Sequence, residues 1–261
     1  MEIAGYIASL LIGVSLGLIG GGGSILTVPV LVYLSGVAPT LAISYSLFIV
    51  GVTSLVGTFN NYRKGLVHFK TAVLFGVSSI TTVFVTRKFI IPLLPDVFFT
   101  IGSFEVKQSF VVMIVFAVLM VAASLSMIRS KEIKAAQQTT TKLPRLLGYG
   151  VVIGLVTGFL GAGGGFLLIP ALVMLMKLPM KQAIGTSLLI IAMNSLVGFT
   201  GDIGEHTIDW KFISIISMIA IAGIFIGGYF NQLINGGRLK KGFGWFVLVI
   251  GIYIMLKETI L

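Results

Sequence analysis

The chain has 261 residues, 57% hydrophobic and 10% charged, with a mean hydropathy of +1.10. A soluble domain carries about 25% charged residues, so this composition excludes an ordinary soluble enzyme and leaves a polytopic membrane protein. Eighteen Lys and Arg against eight Asp and Glu give a net charge of +10, read as loop charge that orients the chain in a bilayer and not as a nucleic-acid surface.

There are no cysteines, which excludes disulfides and thiolate metal sites. The first residues, MEIAGYIASL, lack a basic n-region and a small-residue cleavage site, so no cleaved leader is expected. A spanning helix takes about 20 apolar residues, and the length allows roughly six to nine membrane segments with short connections.

In chain order the apolar runs cover 3–19, 25–35, 41–59, 66–86, 109–128, 146–160, 166–176, 183–200, 212–234 and 242–256. Each predicts a helix. The runs 25–35 and 166–176 hold eleven residues each, enough at about 1.5 Å per residue to reach halfway through the hydrocarbon. Both follow a glycine cluster, Gly20 to Gly23 and Gly161 to Gly165.

Shifted by 141 residues, the sequence lies on itself. From Gly13/Gly154 to Lys70/Lys211 no gap is needed, and 20 of 58 pairs are identical. Gly13, Gly17, Gly20, Gly22, Gly23, Pro29 and Gly57 fall opposite Gly154, Gly158, Gly161, Gly163, Gly164, Pro170 and Gly198. The chain reads as an internal duplication: a first repeat 1–128, a cytoplasmic linker 129–145 and a second repeat 146–261. The fold class expected is an all-α polytopic membrane protein of two repeats, each a glycine-broken helix or hairpin plus three spanning helices.

Loop charge bears on whether the repeats are inverted. Residues 60–65 hold Arg63 and Lys64, while the matching 201–206 hold Asp202 and Glu205. If each broken segment is a hairpin, each half crosses an odd number of times and the halves are inverted. Thirteen basic residues then fall inside: Arg63, Lys64, Lys70, Arg129, Lys131, Lys134, Lys142, Arg145, Lys177, Lys181, Arg238, Lys240 and Lys241. If each broken segment crosses once, the halves are parallel and the best split is ten to eight. The positive-inside bias favours the inverted arrangement, although Arg87 and Lys88 offend it in either case.

The glycine clusters are the first candidates for chemistry. Adjacent glycines each cost about 1 kcal/mol against alanine in a helix, and irregular backbone at membrane depth is tolerated only where protein buries it or water lines it. A break there predicts helix starts near Ser24 and Gly165, whose free N–H groups and positive dipole ends suit an anion. Paired breaks at matching places in two halves point to a transporter site. The plainer reading is close helix packing, and Gly13, Gly17, Gly150, Gly154 and Gly158 fit it well. Pro29 and Pro170 each remove a backbone donor from the short leg, as a gate element or as a simple kink.

A hydroxyl and amide stripe follows. Ser44, Ser46, Thr53 and Ser54 align with Gly185, Ser187, Asn194 and Ser195, and Tyr45 with Thr186. Such groups coordinate an oxyanion without fixed charge, or make interhelical hydrogen bonds. The candidate substrate-binding set is Gly20, Gly21, Gly22, Gly23, Ser24, Ser46, Gly161, Gly163, Gly164, Gly165, Ser187 and Asn194. No carboxylate lies at a span centre, which argues against a cation pump. His68 and His206 read as interfacial. Lys70 and Lys211 read as snorkelling anchors, or as charges that draw anions to each entrance.

No G-x-x-x-x-G-K-[ST], H-E-x-x-H or G-x-S-x-G occurs. Neither an enzyme nor ATP use is indicated, so transport would be secondary or channel-like, with no cofactor and no metal.

The block G-x-x-x-G-x-x-G-x-G-G-G-x-x-x-x-P at 154–170, then A-x-G-T-S-L at 183–188 and I-D-W-K at 208–211, resembles the sulfite exporter TauE/SafE family, also called toluenesulfonate uptake permeases. The first half carries a worn copy: Gly13 to Pro29, A-I-S-Y-S-L at 42–47 and V-H-F-K at 67–70. The resemblance implies an inner-membrane permease for small sulfur-containing or organic anions such as sulfite or sulfonates. It also implies eight spans in two repeats, the count for parallel halves. The partners implied are a small anionic substrate and the lipid bilayer, not nucleic acid, with a homo-oligomer left open. The rival class is a membrane scaffold or assembly partner without transport. The two part on whether the glycine clusters approach each other across a polar cavity.

Overall fold

The computed structural model describes residues 2–95, 97–101, 104–129, 143–161, 163–204, 207–233 and 236–260. The linker 130–142, Ala162, Glu205 and His206 lie outside the described residues. Every apolar run becomes helix. The first half holds α1 (Glu2–Ile19), a 3₁₀ segment (Gly20–Leu26), α2 (Thr27–Tyr33), α3 (Pro39–Arg63), α4 (Phe69–Val85) and α5 (Gln108–Arg129). The second holds α6 (Leu143–Leu160), α7 (Gly165–Leu175), α8 (Met180–Asp202), α9 (Trp210–Leu233) and α10 (Gly236–Ile260). Among the described residues five helices are long and apolar enough to span a bilayer: Pro39–Arg63, Phe69–Leu93, Gln108–Ser126, Met180–Asp202 and Trp210–Asn231.

Local chemistry sets the helix starts. Pro39 opens α3 at a position where its missing N–H costs nothing. His68 caps α4, its Nδ1 accepting from Thr71 N–H at 3.3 Å, and Asp209 caps α9, its Oδ1 accepting from Phe212 N–H at 2.9 Å. After α4 the chain makes one π turn (Thr86–Ile90) and a short 3₁₀ turn (Ile91–Leu93). It then forms an antiparallel hairpin of β1 (Val97–Ile101) and β2 (Phe104–Lys107), which the apolar runs did not announce.

The distribution of polarity is that of a bilayer protein. Ile7, Leu11, Val77, Met218, Tyr229 and Val249 face outward, while Ser24, Thr27, Ser46, Thr53, Thr157, Ser187 and Asn194 are wholly buried. Buried hydroxyls on α1, α4 and α9 are mostly satisfied within their own helices. Ser9 donates to Gly5 O at 2.7 Å, Ser79 to Gly76 O at 3.2 Å and Ser217 to Ile213 O at 2.7 Å.

Packing crosses between the halves. The central pair is α3 with α8, α5 pairs with α10, α1 lies on α9 and α6 lies on α4. Glycines bring these backbones together. A Cβ on Gly13 would stand 1.9 Å from Ala220 O, and one on Gly17 2.4 Å from Ile224 O. One on Gly154 would stand 2.6 Å from Ser79 O, and one on Gly158 2.7 Å from Thr86 Cβ. These glycines, with Gly150 beside Ser78, are packing elements of the small-xxx-small kind.

The contacts between halves recur at the 141-residue offset. His68 N–H donates to Thr186 Oγ1 at 3.0 Å, and Asp209 N–H donates to Tyr45 OH at 2.9 Å. Gly161 stands against Ile43, and Gly20 against Ile184. Gly57 meets Ile224 and Leu188, and Gly198 meets Val83 and Leu47. Each pair follows from the other by adding 141 to one partner and subtracting it from the other.

Both glycine breaks fold back on the helix before them. A Cβ on Gly23 would stand 2.4 Å from Leu16 N, whereas residues seven apart in a continued helix lie about 10 Å apart. Gly5, early in α1, is 3.1 Å by the same measure from Ser35 Oγ beyond α2. In the second half Gly164 stands against Thr157 and Ile153 of α6. Each broken segment is a hairpin.

Candidate functional site

The two hairpin tips meet. A Cβ on Gly165 would stand 2.2 Å from Gly21 O and 2.3 Å from Gly21 Cα, and one on Gly21 would stand 2.4 Å from Gly165 Cα. Only residues without a side chain allow this approach of backbone to backbone. The tips touch between the middles of α3 and α8, where Gly163 is bounded by Val50, Ile191 and Ser195 Oγ.

The breaks are not wound alike. Gly161, Gly163 and Gly164 all have positive φ, near +65°, and Gly164 is the N-cap of α7 without a side-chain cap bond. Only glycine adopts three such angles without strain. The chain therefore stops and restarts: Leu167 and Leu168 N–H both donate to Gly164 O at 3.1 Å, and the N–H groups before them, of Gly165 and Phe166, precede the first helical acceptor. In the first break Gly20 alone is left-handed, at φ +68°, and Gly20 through Leu26, Gly22 included, wind as 3₁₀ helix into α2. The helix start expected near Ser24 thus falls inside continuous winding, and Ser24 Oγ donates back to Gly21 O at 2.8 Å. A 3₁₀ turn satisfies backbone groups that a broken helix would leave free.

The hydroxyl stripe divides. Ser46 Oγ donates across the halves to Gly161 O at 2.8 Å and so ties α3 to the second break. Ser187 Oγ donates to Ile184 O at 2.9 Å, within its own helix, while standing beside Gly20. Asn194 accepts at Oδ1 from Ser79 Oγ at 2.9 Å. That contact consumes the amide's acceptor and turns its donor, Nδ2, into the core without a protein partner.

Thr53 Oγ1, Ser54 Oγ, Ser195 Oγ, Thr157 Oγ1 and Thr27 Oγ1 are likewise buried and unpartnered. Leaving a buried polar group unpaired costs about 1–3 kcal/mol, so such groups accumulate only where something else uses them. Thr53, Ser54, Asn194 and Ser195 sit at the middles of α3 and α8, Thr157 on α6 near the break, and Thr27 on α2. Sequence reading named the stripe and chose Ser46, Ser187 and Asn194 from it; which of its groups are already paired, within a helix as for Ser187 or across the halves as for Ser46, is invisible without coordinates.

A second polar cluster was not expected. Arg87 and Asp202 are buried, each 4% exposed, and form an ion pair through Nη2 and Oδ2. Arg87 Nε donates to Asp202 Oδ1 at 2.7 Å, Arg87 Nη2 to Ser44 Oγ at 2.9 Å and Arg87 Nη1 to Gly158 O at 3.3 Å. Ser44 Oγ stands 2.6 Å from Asp202 Oδ2. Arg87 breaks the loop-charge rule because it is not a free loop charge. Asp202, at the end of α8, is a buried charge partner and no surface acid. Lys70 and Lys211 are exposed, as anchors require.

A profile of the sulfite exporter TauE/SafE family matches residues 6–254. The chain belongs to the TauE/SafE family. Among similar proteins, a probable membrane transporter protein of Xylella fastidiosa (strain 9a5c) is 30% identical over 259 residues, covering 95% of this chain and 92% of its own. Probable membrane transporter protein YunE of Bacillus subtilis is 27% identical, covering 84% of this chain and 82% of its own. A probable membrane transporter protein of Methanocaldococcus jannaschii is 25% identical, covering 96% and 94%. No solved structure matches significantly. This TauE/SafE member is thus a multi-pass membrane transporter.

Proposed function

We propose that this transporter is a secondary carrier of small anions, sulfite or sulfonates among them, acting in the inner membrane by alternating access. The observation that carries the reading is the set of buried unpartnered groups at Thr53, Ser54, Asn194 and Ser195 in the middles of α3 and α8, with Ser195 Oγ against Gly163 of the second break. They are hydroxyls and an amide donor. A small dianion leaving water needs several converging donors, and neutral ones hold it less tightly than fixed cations would. The N-terminal end of α7 adds backbone N–H groups and the positive end of its dipole. The meeting of the two clusters also favours transport over a scaffold role.

The repeats, 1–128 and 146–261 around a cytoplasmic linker 129–145, are read as inverted. Two hairpins that return to their starting side support this, since each half then crosses an odd number of times. The loop charges support the same arrangement and put the C-terminal end of α8 outside. One half rocking against the other would expose the site to each face in turn.

Uptake of labelled sulfite, sulfate and sulfonates into proteoliposomes tests the reading, with Ser195→Ala as the deciding variant. An unpaired buried hydroxyl contributes nothing to folding, so its removal leaves stability unchanged or raises it by up to about 1 kcal/mol. Transport is expected to fall while the melting temperature holds. Undiminished transport in Ser195→Ala and in Thr53→Ala/Ser54→Ala would place the anion elsewhere.

A further inference from the structure

We propose that Arg87 and Asp202 form a gate on one face of the carrier, closed in this structure and, among the described residues, without a charged counterpart on the other face. The inference rests on the alternating-access reading. Three observations carry it.

The first is cost. Two ionised side chains are taken out of water in a bilayer protein, where hydrophobic partners of similar volume would stabilise as well or better. Such pairs are retained where two arrangements of a structure must differ.

The second is what the pair joins. Arg87 lies in the π turn that ends α4, a kind of irregularity frequent at functional sites. Its guanidinium ties four elements together: α4 itself, Asp202 at the end of α8, Ser44 at the start of α3 and Gly158 O in the last turn of α6, just before the second break. Together these close the end of the bundle through which one side of the glycine tips would be reached. Rocking of one half against the other must part Arg87, in the first half, from Asp202 and Gly158, in the second.

The third is asymmetry. The offset of 141 carries Arg87, Ser44, Asp202 and Gly158 onto Gly228, Gly185, Asn61 and Gly17. Asn61 Nδ2 donates within its own helix to Gly57 O at 2.8 Å. The last carbonyls of α1 are met by a neutral amide, Asn231 donating to Leu18 O. Among the described residues the matching positions are amide and small residues, which part at less cost than an ion pair. The closed, charged gate lies on the face that carries the end of α8.

The test uses the cysteine-free chain with a single reporter, Thr157→Cys, one residue from the carbonyl that Arg87 holds. A membrane-impermeant thiol reagent is applied to sealed vesicles of each orientation. Asp202→Asn frees Arg87. The double variant Arg87→Gln/Asp202→Asn removes both charges and leaves no buried ion unpaired, so it remains informative if the single variant misfolds.

Labelling from the face bearing the end of α8 is expected to rise about tenfold or more in both, with labelling from the opposite face unchanged. Unchanged labelling in the folded double variant would overturn the proposal. So would an equal rise from both faces with a lowered melting temperature, the signature of a structural clasp. Anion uptake by the parent chain, measured in the same vesicles, is read separately. Its absence would sink the functional reading while the sidedness of labelling still reports the gate.

Discussion

Gly165→Ala isolates the contact between the two hairpin tips. The added Cβ would stand 2.2 Å from Gly21 O, 2.3 Å from Gly21 Cα and 2.5 Å from Gly21 C. An ordinary contact needs about 3.4 Å, so one tip must retreat by about 1.2 Å. All three neighbours are backbone, and no side chain can rotate away. Gly165 is the first residue of α7 and is not among the left-handed glycines, so the conformational penalty of alanine there is small.

Overpacking of this kind costs about 1–3 kcal/mol, which at about 2–4 °C per kcal/mol lowers the melting temperature by roughly 2–12 °C. The control is Gly148→Ala in α6, where nothing lies within 4 Å of the new Cβ. Helix propensity there favours alanine by up to about 1 kcal/mol. Thermal unfolding of the purified variants in detergent, alongside anion binding, gives the comparison. If Gly165→Ala melts with the parent, or if Gly148→Ala loses as much, the tips do not touch as described.

Three further outcomes are expected. Tyr62→Cys and Ile203→Cys, both exposed, should react with an impermeant thiol reagent from opposite faces; reaction from the same face would refute inversion. Lys177 holds a left-handed φ of +52° at the end of α7, where the first half has Gly36 at +70°. Lys177→Gly should therefore stabilise by about 0.5–1 kcal/mol in denaturant or thermal melts, strain relief of about 1–2 kcal/mol outweighing the greater chain entropy of glycine. Gly36→Ala, with nothing within 4 Å of the added Cβ, should lose about 1 kcal/mol for backbone reasons alone.

The helices were legible because each rests on an apolar run, and the runs marked all ten α-helices among the described residues. Which helices pair was not legible: the bonds of His68 to Thr186 and Asp209 to Tyr45 join aligned positions only once the chain is folded. The packing glycines were separable from the break glycines by their four-residue spacing. What was not legible depends on torsion or on distant partners. The aligned glycines at 20, 22 and 23 and at 161, 163 and 164 conceal a 3₁₀ winding in one break and a stop with three left-handed residues in the other. Arg87 and Asp202 are 115 residues apart and each closes an apolar run, so each reads as an interfacial charge until the π turn brings them together. The β hairpin is too short for its alternation to stand out against the hydrophobic background.

The crossing of first helices between halves has a consequence for how the protein is made. Helix α1 leaves the ribosome long before α9, yet α9 is its main neighbour, and the glycines Gly223 and Gly227 of α9 seat directly on the backbone of Leu10 and Val14. Until nearly the whole chain has been inserted, α1 must wait in the lipid with its small-residue seam uncovered, and α4 waits in the same way for α6. Neither half is a self-sufficient folding unit. Severing the chain between Arg129 and Leu143 should give two polypeptides that are degraded when produced singly and survive when produced together.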